Sequence, residues 1–436
     1  MIAVRCFHRL SEADSYRAPI NALNLASACP DPFSTFEFYE HYLRNAAAFP
    51  ESGDLRLWLL LAFSGDDLIG YLALKQRTHQ VLGVRASRLD LLTAYVADRP
   101  HVVTRPEDAQ RVSAAIYAYL LSRQSEWSLL EFEQQDAASA LLPPPAQAAR
   151  GTCQTRQWPN TPIGIIEVRW DSVASYFAAL SKKARSNVSR QMRALLAAGD
   201  AQLLTSSAPQ ATEALFQLYR SIEPHSWKAH ADAGIGRNRQ SIDFYSGLMD
   251  TSQLMRLVIQ VLLLDGVPIA GLISATFGKG LYALHIVYDE RHARLGPGSA
   301  ILLLGMRLAI EGGCEFVNLQ WGSGHYKSRW LAEMHETQSL QIYRVGTPFY
   351  WRRVLADVWR RCLGKPSVEG RILFNPVRRA LDKRAASGAT RPAPLASAPE
   401  RESHASLIER IRRCHGEFLS AAQLAAAMPF ATQRPA

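Results

Sequence analysis

The chain has 436 residues, of which 48% are hydrophobic and 20% charged, and a formal net charge of +10. At ~150 residues per domain this length predicts two to three folding units. The composition excludes wholesale disorder, and a chain of this size buries a large core without covalent staples. The six cysteines, Cys6, Cys29, Cys153, Cys314, Cys362 and Cys414, form no CxxC pair. Neither a zinc motif nor a disulfide framework is expected, so a reducing compartment is. The opening residues lack the apolar core of a signal peptide, and no apolar run approaches the ~20 residues of a membrane span. The expected localisation is cytoplasmic, with no metal.

Two stretches of the chain read alike. Residues 57–63 and 68–74 are apolar and flank Ser64, Gly65, Asp66 and Asp67, which predicts a β-hairpin. A helix is expected at 108–124 and a strand at 128–133. About 200 residues later, apolar 257–264 and 267–275 flank Asp265-Gly266, a strong hairpin signal. Pro268 cannot donate to a ladder and belongs near a strand start or on an edge. A helix at 299–311 and a strand at 316–320 follow. Helix-like stretches bearing Phe38-Tyr39 and Phe244-Tyr245 precede the two hairpins. The order helix, strand, strand, helix, strand occurs twice, which points to duplication.

The expected fold class is therefore α/β, as two tandem lobes that each carry a mixed twisted sheet flanked by helices. The first lobe is expected at 1–150, ending in the Pro-rich stretch 141–146, and the second at 151–346. A basic helical segment is expected at 347–384. A low-complexity, disordered linker with a short tail helix is expected at 385–436.

Chemistry concentrates where the lobes differ. In the second, a strand at 281–288 runs into Arg291, Arg294, Gly296, Pro297, Gly298 and Ser299, and then into an apolar helix. A strand, a Gly-rich loop and a helix N-terminus make an anion site, because main-chain N–H groups and the helix dipole point at the ligand. The two glycines let the backbone approach, the arginines add charge-assisted contacts, and Ser299 caps the helix or donates to a phosphate. A plain turn is the competing reading. No Walker A or GxGxxG pattern is present. The corresponding place in the first lobe, 93–101, has no glycine pair, so that lobe is expected to be structural or substrate-facing. The last strand of the second lobe ends in a glycine-bearing run with His325, Tyr326, Lys327, Arg329 and Trp330. Ligands of open α/β sheets gather beyond the carboxyl ends of strands.

These residues resemble the GNAT acyltransferase superfamily, and within it the branch linked to cellulose and exopolysaccharide biosynthesis. That branch is related to the Fem-type aminoacyl transferases. The resemblance rests on 181–190, on Ser226-Trp227-Lys228 with Gly234-Ile235-Gly236, on 264–270, on 296–303 and on 326–330. It implies a splayed pair of central strands with acyl-CoA in the splay and its pyrophosphate on Arg291, Arg294, Gly296, Gly298 and Ser299. Ala293 stands where the superfamily's loop carries a charged residue. The implied activity is acyl transfer from acyl-CoA to an amine or hydroxyl, with a sugar or sugar-lipid of the cell envelope as the expected acceptor. Fem-type members use aminoacyl-tRNA and bear a helical coiled-coil arm, and no such heptad stretch is seen here.

Within that mechanism His285 is the expected general base. Tyr326 is the expected general acid, helped by Lys327. Lys182 and Arg185, in a run of five cations, are expected to receive an acidic acceptor, with Trp227 and Lys228 beside it. Residues 350–363 place Trp351, Val354, Leu355, Val358 and Trp359 together, ringed by Arg352, Arg353, Arg360 and Arg361, which suits peripheral contact with an anionic membrane. A helix docked on its own lobe is the competing reading. No specific nucleic-acid motif is present. A non-catalytic membrane- or nucleic-acid-binding module is the rival from another class.

Overall fold

The computed structural model describes residues 2–46, 55–93, 97–136, 139–149, 151–231, 234–237, 239–249, 255–322, 325–363, 402–414 and 416–427. The described residues fall into two compact units. One gathers those within 1–163, 321–323 and 334–374; the other gathers those within 164–320, 324–333 and 375–436. No described helix is long and apolar enough to cross a membrane.

The strands, in chain order, are β1 (Ile2–Phe7), β2 (Leu55–Ser64), β3 (Asp67–Val81), β4 (Val84–Leu91), β5 (Val103–Thr104), β6 (Leu129–Asp136), β7 (Cys153–Pro159) and β8 (Ile163–Glu167). Then come β9 (Ala201–Ser206), β10 (Arg256–Leu264), β11 (Val267–Phe277), β12 (Gly280–Tyr288), β13 (Phe316–Trp321), β14 (Glu333–His335), β15 (Thr337–Arg344) and β16 (Glu417–Leu419). The helices used below are α1 (Arg17–Leu25), α2 (Phe36–Arg44), α3 (Ala109–Ser122), α4 (Val173–Ala179), α5 (Lys182–Ala198), α6 (Pro209–Ile222), α7 (Trp227–Ala231), α8 (Arg239–Leu248), α9 (Pro297–Glu311), α10 (His325–Arg329) and α11 (Pro348–Cys362).

The first unit is built on one sheet of order β1-β2-β3-β4-β6-β15-β7, with β5 on β3. The second has the order β14-β8-β13-β12-β11-β10-β9-β16. The duplication holds at the level of register. Each unit opens a hairpin, β2–β3 or β10–β11, with a two-residue turn and a register shift two residues before it, at Ala62/Phe63 and at Leu262/Leu263. Asp265 and Gly266 both adopt positive φ, 50° and 75°, the conformation a tight hairpin of matching twist requires. Pro268 stands at the start of β11, as its missing donor demands. In each unit a third strand follows, then a helix, then a strand parallel to that third strand: β4 with β6, and β12 with β13.

Two expected boundaries move. β7 and β15, placed by sequence in the second lobe, pair with each other and, through β15, with β6. An open sheet edge takes whichever strand covers its unpaired N–H and C=O groups, and β15 covers β6. The tail is not a lone helix either. The helix His404–Arg413 buries Leu407, Ile408 and Ile411, and β16 pairs antiparallel with β9. The linker expected at 385–401, and 364–384 of the expected basic segment, lie outside the described residues.

The core of the second unit shows what positions the site. Ala300, Ile301, Leu303, Leu304 and Met306 of α9 pack with Leu272, Leu281, Val317 and Leu319 from one face of the sheet, and with Val188 and Met192 of α5. Each fully buried aliphatic side chain contributes ~1.5–3 kcal/mol. The other face receives α6, where the missing side chain of Gly271 admits the Tyr219 ring. A Cβ there would stand 2.5 Å from Tyr219 Cδ2.

Candidate functional site

The parallel ladder between β12 and β13 spans three residue pairs, Gly280–Tyr282 against Phe316–Asn318. β12 continues to Tyr288 and β13 to Trp321, so the pair opens beyond Tyr282. β12 also carries a bulge. Ile273 opposes His285 and Ser274 opposes Ala283, leaving Leu284 as the extra residue. Bulges re-aim side chains, and this one turns His285 toward α6.

Three chain segments meet at that ring. Tyr219 Oη lies 2.7 Å from His285 Nδ1, and Lys228 Nζ lies 2.8 Å from Nδ1 and 3.2 Å from Nε2. Tyr219 and Tyr245 stand edge-on to the imidazole, with ring centroids at 6.1 and 5.9 Å. Nδ1 offers one lone pair or one N–H, so Tyr219 and Lys228 compete for it. Burial raises the Tyr219 phenol well above its ordinary value, so it remains a hydroxyl. Lys228 is 6% exposed. Burial pushes its ammonium down to about 7, against an opposing pull from Glu223.

Glu223 is held by the loop that follows. Its two oxygens accept from Ile235 N and Gly236 N, each at 2.7 Å. Burial raises this carboxyl, opposed by those two bonds and by the charges of Lys228 and Arg220. A Cβ at Gly236 would come 3.0 Å from Glu223 Oε2. The Gly234-Ile235-Gly236 segment thus wraps the carboxylate whose charge acts on Lys228. Trp227 is 41% exposed, with its ring centroid 5.8 Å from Lys228 Nζ.

On β13, Asn318 Nδ2 and both side-chain polar atoms of Gln320 are buried without a hydrogen-bond partner. Val317 and Leu319 point into the α9 core, so alternation aims Asn318 at the face that holds His285. Buried polar atoms left unpaired are costly, and a bound ligand is one way to satisfy them.

The Gly-rich loop takes shape at the start of α9. Gly296 is the N-cap at φ 65° and has no side-chain cap; Ser299 lies inside the helix rather than capping it. A Cβ at Gly296 would press within 2.4 Å of Gln191, and one at Gly298 within 2.9 Å of the Tyr288 ring. Ser299 lines a cavity of about 110 Å³ together with Asn187, Arg190, Gln191, Arg329 and Trp330. Arg294 is exposed beside this loop.

Three predicted residues are engaged structurally. Arg291 forms a bidentate pair with buried Asp289, with Nη2 to Oδ2 at 2.6 Å and Nε to Oδ1 at 3.0 Å, which ties its guanidinium to the turn. Burial pulls the Asp289 carboxyl up, but Arg291 outweighs it and holds the group below its ordinary value. Arg185 donates to Ala178 O at 2.7 Å and Leu180 O at 2.6 Å, closing the end of α4. Lys327 is 2% exposed and donates to Gln320 O at 2.5 Å, with its stem against Gly164. It is a strut between β8 and the end of β13. Lys182 is exposed on α5, and Tyr326 is 40% exposed on α10 with burial raising its phenol. Among the described residues no group of three His, Cys, Asp or Glu side chains could hold a metal.

Sequence reasoning did not single out Tyr219, Glu223, Asn318 or Gln320. The four-residue spacing of Tyr219 and Glu223 at the end of an apolar helix was the available signal.

Against known proteins, the chain shares its fold with FemX, at a TM-score of 0.52 and 10% identity over 77% of this chain and 97% of that one. A tandem GNAT protein from the clavulanic acid biosynthesis pathway aligns over 80% of this chain and 99% of that one, at 15% identity and a TM-score of 0.45. The C-terminal domain of a putative lysylphosphatidylglycerol synthetase from Agrobacterium fabrum covers 74% of this chain and 95% of its own, at 12% identity and a TM-score of 0.43. No curated protein matches. Residues 182–328, which span every predicted site residue from Lys182 to Lys327, match the family model of the acetyltransferase (GNAT) domain.

Proposed function

We propose that the second unit transfers an acyl group from acyl-CoA to an amine or hydroxyl acceptor. The observation that carries this reading is the opened β12–β13 pair, with the Lys228–His285 contact on one face and the Gly296–Ser299 loop at its end. Acyl-CoA would lie along the opened strand edge, where main-chain N–H groups no longer bonded across the ladder can receive the thioester carbonyl. Its phosphates would sit at the start of α9, with Arg294, Gly296, Gly298, Ser299 and Arg190 around them.

The acceptor's nitrogen or oxygen attacks the thioester carbon and the C–S bond breaks. The proton lost by the acceptor passes to neutral Lys228 or to His285, and the departing thiolate takes up a proton. A base titrating near neutrality suits the first step, and burial brings Lys228 to that range. Asn318 and Gln320 would pair with a hydroxyl-rich acceptor, which supports a sugar or sugar-lipid of the cell envelope. Tyr326, whose phenol burial keeps protonated, would supply the thiolate's proton.

The fold shared with FemX favours a second reading, in which aminoacyl-tRNA is the donor. Thermal unfolding against CoA, acyl-CoAs of rising chain length and aminoacyl-tRNA separates the two. A ligand at ~100 times its Kd stabilises by ~2.7 kcal/mol, a rise of several degrees. A rise with one acyl-CoA supports the first reading. A rise with aminoacyl-tRNA alone replaces it with the second.

A further inference from the structure

We infer that α11 is an interfacial helix that seats the first unit on an anionic phospholipid surface. The argument starts from the angular order of its residues. At 100° per residue, Trp351, Leu355, Val358, Trp359 and Leu363 fall within one broad stripe. All five are exposed, at 49%, 55%, 51%, 67% and 50%. An exposed apolar stripe containing two tryptophans is costly in water and marks an interaction face.

The helix is held by its opposite side. Phe349 is buried and meets the His79 ring edge-on, with centroids 5.8 Å apart. The Arg353 guanidinium lies 5.1 Å from the Tyr343 ring centroid, and Asp357 takes Arg156 at 3.8 Å and Arg360 at 3.9 Å. These contacts fix the rotation of α11 on β15 and β3, so the apolar stripe is aimed away from its own unit.

Charge selects the occupant. Arg352 and Arg361 are both exposed; the helical angle puts Arg361 beyond the Val358 edge of the stripe and Arg352 at its other side, between Trp359 and Leu363. Apolar side chains that enter the acyl boundary, bracketed by cations at headgroup level, are the pattern of a helix lying in an anionic interface. Tryptophan favours that depth because its ring is apolar while its indole N–H seeks water. Pairing with a second copy of this chain would bring arginine flanks face to face, which opposes self-association. Asp357, the single acid of α11, is turned to the docked side by its pairs with Arg156 and Arg360.

The test is flotation of the full chain with vesicles of phosphatidylglycerol and phosphatidylcholine, against phosphatidylcholine alone, at low and high salt. Binding to the anionic vesicles that weakens with salt is expected. The double variant Leu355→Asp/Trp359→Asp, whose side chains touch nothing in the core, should abolish it while leaving the unfolding temperature unchanged. The double variant Arg352→Gln/Arg361→Gln should weaken partitioning about thirtyfold, at ~1 kcal/mol per arginine. Absence of flotation, or flotation unchanged by Leu355→Asp/Trp359→Asp, overturns the inference. So does a dimer in sedimentation velocity that the same variant dissociates in a chain that ignores vesicles.

Discussion

Lys228 Nζ lies 2.8 Å from His285 Nδ1, across 57 residues of chain. The contact joins a short helix after α6 to the bulged third strand of the repeat. It places an amine and an imidazole within proton-sharing distance, with Tyr219 and Tyr245 edge-on to the ring. Neither would be conspicuous alone; a buried histidine is common and a lone lysine is usually solvated. Their proximity, the burial of the lysine and the opened strand edge beside them make this the candidate site.

The pH dependence of activity should follow Lys228. Burial brings it to about 7, so its neutral, proton-accepting form accumulates above that pH. The turnover rate should rise through an acid limb near pH 7 set by Lys228, with the Glu223 charge working against burial. Lys228→Met should remove that limb and lower the rate roughly 10²–10⁴-fold. A variant with the wild-type profile would show that the lysine carries no proton in the reaction.

Stability should report the same group with a defined sign. Lys228 titrates near 7 in the folded chain against an ordinary 10.5, so unfolding takes up a proton between those values. This residue's contribution therefore makes the fold more stable as pH rises across that window. Lys228→Met should flatten the rise, with the variant more stable than the parent below pH 7. Urea unfolding at pH 6 and pH 9 measures both slopes.

Gln320→Met separates a ligand contact from a structural one. Both side-chain polar atoms of Gln320 are buried without partners, so an apolar residue of similar length should cost no stability or even add some. The KM for the acceptor should rise, since a buried acceptor group would lose its partner. A fall in unfolding temperature with an unchanged KM would assign Gln320 to the core.

Gly296→Ala tests the loop at the start of α9. Its φ of 65° is left-handed, and its Cβ would press on Gln191 at 2.4 Å. The backbone cost is roughly 1–2 kcal/mol before the contact is counted. Donor affinity should fall more steeply than stability, as read by calorimetric titration beside an unfolding curve.

Ile411→Ala tests the tail. Ile411 is 1% exposed in the helix that follows the basic segment, and Gly416 approaches it closely enough that a Cβ would clash at 2.5 Å. A large-to-small change at such a site costs ~2–5 kcal/mol. A urea midpoint close to that of the parent would mean that residues 402–427 ride on the second unit without supporting it.

Much of this architecture is local, and local patterning carried it. The two hairpins follow from apolar runs around Gly65-Asp66 and Asp265-Gly266, because turn chemistry and period-two patterning act over a few residues. The repeat was visible for the same reason. The Gly296–Ser299 loop was legible because a helix N-terminus after a strand needs small residues to let the backbone turn. The lobe boundary was not: β7 and β15 read as ordinary strands, and only the open edge at β6 decides which sheet they join.

The sequence by itself determined the duplicated α/β plan, the strand that bears His285 and the glycine loop that opens α9. The tertiary structure alone decided the partners. It gave Arg291 a carboxylate partner and Arg185 and Lys327 carbonyl partners within their own unit. It brought Tyr219 and Lys228 to His285 because Gly271 admits an aromatic ring and the bulge at Leu284 rotates the histidine toward it. Side-chain chemistry is written along the chain, but whether a charge stays available depends on which oxygen the fold sets beside it.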